Sequence, residues 1–247
     1  MPYGSPSLTA SIAELLTRLN TMIGVQNETK GMLDKAMTYL GRVVVDEVEK
    51  IKEAEKKGNA YGIRDYSALQ YLYICALGDR QLTSAERSAA DYLLGYLKTK
   101  NTSLNLYGKA LMAVVLSKNG ESKLAGEYLK SLEEYSVKTE TMGRYYDSPR
   151  AGYNWFDYRI PTQVAAIEAM KLVDASGYSA EIDEMRQWLL QQKRVQGWNT
   201  PVNSANAVYA FLSDNMSVLN KGEKAEITLD GKKLDMSPAT AGLGYVK

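Results

Sequence analysis

W-L-L-Q-Q-K-R-V-Q-G-W-N-T-P-V-N-S-A-N-A-V-Y-A-F-L, running from Trp188 to Leu212, is the stretch whose reading decides the fold. Trp188, Leu189 and Leu190 close one amphipathic helix. Gly197-Trp198-Asn199-Thr200-Pro201 forms a tight connector, and Asn203 or Ser204 is placed to cap a second helix. The apolar residues of that second helix, Ala207, Val208, Ala210, Phe211 and Leu212, fall mainly on one face. This is a helix–turn–helix unit with an indole at the joint, and most of the chain reads as variations on it.

Working outward, the same punctuation recurs. Ser7 or Thr9 caps a helix carrying Ile12, Leu15, Leu16 and Leu19 as its apolar face. Asn27 caps a longer one with Met32, Leu33, Met37, Leu40, Val44 and Val48 at helical spacing. Asp65 or Ser67 starts a helix that ends at Gly78. Thr83-Ser84-Ala85-Glu86 fits a capping box, with Glu86 reaching back to the cap residue. Further helices start at Ser103 and Ser122, at Thr162, and at Ser179. Thr139 to Pro161 is aromatic, contains glycine and has no period, so it reads as a long loop with room for a short hairpin.

The helices are paired. Ala166-Ile167-Glu168-Ala169-Met170 superposes on Ala207-Val208-Tyr209-Ala210-Phe211 at an offset of 41 residues, and Tyr66–Leu72 superposes on Tyr107–Ala113 at the same offset. A period of about 40 residues with two helices per repeat describes an array of helical hairpins. The aromatic-glycine connectors favour the closed form of such an array. The expected fold class is all-α: an α/α toroid of about ten paired helices over residues 1–215. After Asn215 the pattern changes. Glu226–Leu234 alternates around Asp230-Gly231 and reads as a β-hairpin. Residues 216–247 are too few to build a β core of their own, so this tail is expected to belong to a neighbouring β-sandwich domain.

Composition narrows the function. Among 247 residues, 30 Lys+Arg against 29 Asp+Glu give a net charge of +1, without the basic surplus that a nucleic-acid surface needs. No histidine is present, which removes Ser-His-Asp and Cys-His catalysis and His-ligated zinc together. The single cysteine, Cys75, sits in an apolar run and reads as a small core residue. No membrane-spanning stretch is expected. Eighteen tyrosines against two phenylalanines is a skewed ratio. It fits packing between helices where each hydroxyl finds a partner, or else a polar-aromatic binding surface. Tyr145, Tyr146, Tyr153, Trp155 and Tyr158 are the candidates for such a surface.

Taken together, the segment Trp188 to Leu212, the segment Tyr153-Asn154-Trp155 to Ile160-Pro161-Thr162-Gln163, and the N-terminal Pro2-Tyr3-Gly4 resemble the thioester domain of bacterial alpha-2-macroglobulin-like proteins. Members of that family carry Pro-Tyr-Gly-Cys-Leu-Glu-Gln. Here Ser5 stands where the cysteine would be and Leu8 where the glutamine would be. The resemblance implies a toroid that keeps the frame of the reactive turn without its chemistry, because Leu8 has no carbonyl to acylate and Ser5 no sulfur to receive it. It further implies a non-catalytic domain of a periplasmic or cell-surface protein, with no cofactor and no metal. Adjoining β-sandwich domains and proteases are its implied partners, and any capture is non-covalent.

An enzyme is the alternative, since α/α toroids also host carbohydrate-active enzymes with paired acids. Asp147 and Asp157 in the aromatic segment, with Asp65 and Glu168 behind them, are its candidates. That reading requires two carboxyls facing each other across a cleft at roughly 5–9.5 Å. An isoprenoid-processing toroid would need an Asp-rich metal motif or a Cys/His cluster, and neither occurs.

Overall fold

The computed structural model describes residues 4–59, 67–99, 104–147, 159–195 and 200–213, with the backbone of 228–229 and 232–233. Two compact units divide the chain, residues 1–214 and 215–247. Among its described residues the first unit holds helices α1 (Pro6–Ile23), α2 (Asn27–Lys56), α3 (Ser67–Leu77), α4 (Ser84–Thr99), α5 (Leu106–Lys118), α6 (Ser122–Glu133), α7 (Arg159–Asp174), α8 (Ser179–Val195) and α9 (Pro201–Leu212). Strands β1 (Ser136–Thr139) and β2 (Gly143–Tyr146) form an antiparallel hairpin between α6 and α7. In the second unit β3 (Thr228–Leu229) pairs antiparallel with β4 (Lys232–Lys233), within the stretch where a hairpin was expected.

The protein is therefore mostly helical. The odd-numbered helices pack on one another in succession: α1 on α3, α3 on α5, α5 on α7, α7 on α9, and α9 also touches α1. Of the even-numbered helices, α2 lies against α1, α3 and α4, α6 against α5 and α7, and α8 against α7 and α9. Burial follows this division. Every residue of α7 from Ile160 to Met170 is buried, and α5 is buried from Leu106 to Leu116 apart from Lys109. A helix enclosed on all sides must be apolar or internally satisfied all round. The even-numbered helices instead bury a single stripe, Ala89, Leu93 and Leu97 in α4 and Ala125, Leu129 and Leu132 in α6.

Several helix starts differ from expectation, most of them beside a proline. Ser5 caps α1 with Pro6 as the first helical residue, in place of Ser7 or Thr9, and its hydroxyl accepts from the Leu8 N–H at 3.4 Å. Thr200 caps α9 with Pro201 first, in place of Asn203 or Ser204, and accepts from the Asn203 N–H at 3.1 Å. Proline at the first helical position wastes no donor and fixes φ for the helix, so a hydroxyl residue just before it takes the cap. Thr162 likewise lies inside α7, which tolerates Pro161 in its first turn and starts at Arg159. Asn105, in place of Ser103, caps α5. The capping box at Thr83 and Glu86 is present as predicted, with both backbone N–H groups satisfied. The hairpin opens at Ser136, ahead of the expected loop.

The faces of α1 and α9 are also corrected. Ala10, Ala13, Glu14, Thr17 and Arg18 form the buried face of α1, whereas Ile12 is 39% exposed and Leu8 62%. In α9 the buried residues are Asn203, Asn206, Ala207, Tyr209 and Ala210, and Val208 is 40% exposed. Small and polar side chains on these two helices turn inward because they meet a polar cluster, described below, that an aliphatic face could not satisfy.

Gly143 begins β2 at φ +76, and a Cβ placed there would stand 2.2 Å from the Glu184 carbonyl oxygen of α8. Gly126, within α6, has open space at the same position. Gly143→Ala is expected to lower unfolding free energy by about 3 kcal/mol through left-handed strain and the displaced hairpin. Gly126→Ala should raise it by about 1 kcal/mol. Urea melts followed by circular dichroism check both.

Candidate functional site

Arg18 is 1% exposed and reaches three neighbouring helices from α1. Its Nη1 donates to Glu14 Oε1 at 2.6 Å, one turn back, and to Asn206 Oδ1 of α9 at 2.5 Å. Its Nη2 donates to the Tyr73 hydroxyl of α3 at 2.7 Å and to Glu168 Oε2 of α7 at 3.3 Å. The Tyr73 hydroxyl donates onward to that same Glu168 oxygen. Tyr209 of α9 donates to Glu168 Oε1 at 2.6 Å. Tyr107 of α5 donates to Glu14 Oε2 at 2.8 Å, with Gln70 Nε2 of α3 at 3.3 Å from both groups. All five odd-numbered helices thus meet in one buried network of two carboxylates, one guanidinium and three phenols.

The electrostatics of the network are severe. Burial opposes the charge on Arg18, yet Tyr73, Glu14 and Glu168 around it drive its pKa well above the ordinary guanidinium value. Burial, and then the carboxylates they face, push the Tyr73, Tyr107 and Tyr209 hydroxyls far up. All three phenols therefore stay protonated and act as donors. Two carboxylates share one guanidinium, and among the described residues no other cation pairs with them.

This settles where Glu168 sits. It does not face a second carboxyl across open space but shares Arg18 with Glu14, each carboxylate held by phenolic donors. Asp147 is exposed just after β2. Asp65 and Asp157 lie outside the described residues. Sequence reasoning missed Glu14, Arg18, Gln70, Tyr73, Tyr107, Asn206 and Tyr209. The signal in the sequence was an i,i+4 Glu–Arg pair, Glu14 and Arg18, on the small-residue face of α1.

Of the aromatic candidates, Tyr146 is 1% exposed, and Tyr145 stacks on Trp188 with ring centroids 5.9 Å apart at 12°. Tyr153, Trp155 and Tyr158 lie outside the described residues, as does Trp198. The hairpin is held by Gln163, whose amide donates to the carbonyls of Arg144 (2.7 Å) and Met185 (3.2 Å). Arg144 and Lys138 both bridge to Glu184 of α8, at 3.0 and 2.5 Å. Cys75 is buried and its thiol is pushed up to about 12, chiefly by burial, so it carries no thiolate near neutral pH.

Above the network, a cavity of about 540 Å³ opens at the start of the odd-numbered helices. Ser5 and Leu8 stand at its rim on α1, and Glu14, Gln70, Tyr107, Asn203 and Asn206 line it. Among the described residues no cluster of three Cys, Asp or Glu side chains is placed to hold a metal ion, and no helix is long and apolar enough to cross a membrane. No protein-family model matches the chain, and no curated protein matches it.

Arg18→Met leaves two buried carboxylates without a counter-charge and is expected to cost at least about 3 kcal/mol in urea unfolding. Tyr73→Phe, which removes one donor, should cost about 1–2 kcal/mol.

The raised phenols set a separate pH limit. Their folded pKa lies above the unfolded value, so their contribution is complete below about pH 10 and is lost as pH rises toward the folded value. Tyrosinate absorbance should show exposed tyrosines titrating first. The buried ones should then appear in one cooperative step that coincides with loss of helical circular dichroism.

Proposed function

We propose that residues 1–214 form a closed α/α toroid, a degenerate thioester domain of the bacterial alpha-2-macroglobulin type, acting as a non-catalytic module in non-covalent protease capture or surface defence. The succession of contacts from α1 through α3, α5, α7 and α9 back to α1 supports the toroid. The observation that carries the functional reading is the turn at Ser5. The side chain at position 5 folds back over the backbone of residue 8 at 3.4 Å, on the rim of a cavity where the odd-numbered helices begin. A thioester between positions 5 and 8 needs this same i,i+3 proximity, and here the two positions supply a hydroxyl and an isobutyl group. On this reading the proximity of the two positions remains while the reaction is absent. The β3–β4 hairpin fits an adjoining β-sandwich, and the proposed location is periplasmic or at the cell surface.

The full-length polypeptide carrying this domain, mixed with serine, cysteine and metalloproteases, is expected to co-elute with at least one class in native size-exclusion chromatography. The two should separate completely on a denaturing gel. An adduct that survives denaturation would overturn the non-covalent reading. Absence of any complex would overturn the protease reading.

A further inference from the structure

The cavity above the polar network has unspent hydrogen-bonding capacity. Asn203 is only 8% exposed and lines the cavity, yet its side-chain amide makes no hydrogen bond within the described residues. Its amide atoms are not sealed from solvent, so they open onto the cavity and can pair with a ligand there. Next to it, Asn206 spends its carbonyl oxygen on Arg18 and keeps its NH2 group for the cavity. The hydroxyls at the rim are already used: Ser5 and Thr200 accept from backbone N–H groups at helix starts, and Ser11 donates to the Ser7 carbonyl.

The charge of the ligand follows from two opposing fields. The first turns of α1, α5, α7 and α9 all reach the cavity, through Leu8, Tyr107, Pro161 and Asn203, and the positive ends of their dipoles disfavour a cation. Glu14 on the floor belongs to a network with one more carboxylate than guanidinium and disfavours an anion. A neutral group suits both. The walls are Leu8, Leu15, Pro161 and Val202, which accept a branched apolar body.

We propose that this cavity binds a neutral, amide-bearing apolar group, of the kind a leucine-like residue presents within a peptide chain. The Asn203 amide supplies one donor and one acceptor to the peptide group, Asn206 supplies a further donor, and the aliphatic side chain lies among the four wall residues. The proposal stands apart from the family reading, since it rests on the cavity's polar inventory and not on the turn at Ser5.

The probe is N-acetyl-leucinamide, titrated into the 15N-labelled protein and followed by amide shifts. The comparison compounds are leucinamide, which is cationic, and N-acetyl-leucine, which is anionic. N-acetyl-leucinamide should bind with a Kd of about 1 mM, as expected for a small fragment, and at least tenfold more tightly than either charged analogue. Shifts should centre on Leu8, Leu15, Asn203 and Asn206. Asn203→Leu, of similar volume, should weaken binding about tenfold by removing both hydrogen bonds. Leu8→Trp, at the exposed rim and away from the network, should block the cavity with the melting temperature unchanged, so loss of binding there is not loss of fold. Equal binding of a charged analogue, shifts centred elsewhere, or unchanged affinity in both variants would overturn the proposal. So would no binding up to about 20 mM.

Discussion

The structure depends on how Arg18 is neutralised. One guanidinium buried among five helices has no water to solvate it, so its Nη donors draw acceptors from several elements, while its Nε has none. Its Nη atoms do so on α1, α3, α7 and α9, and Glu14 extends the network to α5 through Tyr107. The helices cannot rotate or slide by a residue without breaking several of these bonds at once. Apolar packing between small-residue faces such as Ala10 and Ala13, or Ala165, Ala166 and Ala169, is tolerant of register. The polar network is not. It adds little net stability for its size, but it selects one arrangement from the many that an alanine-lined interface permits.

This constraint explains the tyrosine bias. Phenylalanine would fill the same volume at positions 73, 107 and 209, but it could not donate to Glu14 or Glu168. Each of these carboxylates needs donors beyond the single arginine they share, and a phenol brings one while its ring fills the interhelical space. Tyr209 lies 41 residues after Glu168, the repeat offset seen in the sequence. Equivalent positions of successive helix pairs therefore carry complementary groups, an acid on one and a phenol on the next. Repetition positions them, and divergence at that position gives the bond.

The sequence made the helices legible more readily than the site. The Thr83–Glu86 box, the Gly78 and Asn119-Gly120 stops and the Asp230-Gly231 hairpin are local signals whose chemistry is complete within a few residues. Where two local signals compete, as Ser5-Pro6 against Ser7, the proline decides the start, and the pairing of hydroxyl with proline is the feature to weigh. The site was hidden because its partners are remote: Arg18 meets Asn206 across 188 positions and Glu168 across 150. Hydropathy also pointed the wrong way on α1. The spacing of Ile12, Leu15, Leu16 and Leu19 reads as the core face, yet Glu14 and Arg18 are buried and Ile12 is exposed. A helix surrounded by others is not obliged to put its aliphatic residues inward when the interior is polar.

The cavity and the network belong to one physical arrangement. Because the odd-numbered helices begin at the same end, their first turns bring unpaired N–H groups and positive dipole ends to a common place. Side-chain caps satisfy part of this requirement, with Ser5, Asn105 and Thr200 each accepting from the backbone N–H three residues on. The surplus carboxylate charge of the network lies just beneath and offsets part of the remaining field. Helix ends gathered in this way pack less closely than helix middles, because capping residues leave the helical path. Space opens there, and the side chains facing it, Asn203 above all, are polar because they stand between a positive rim and a negative floor.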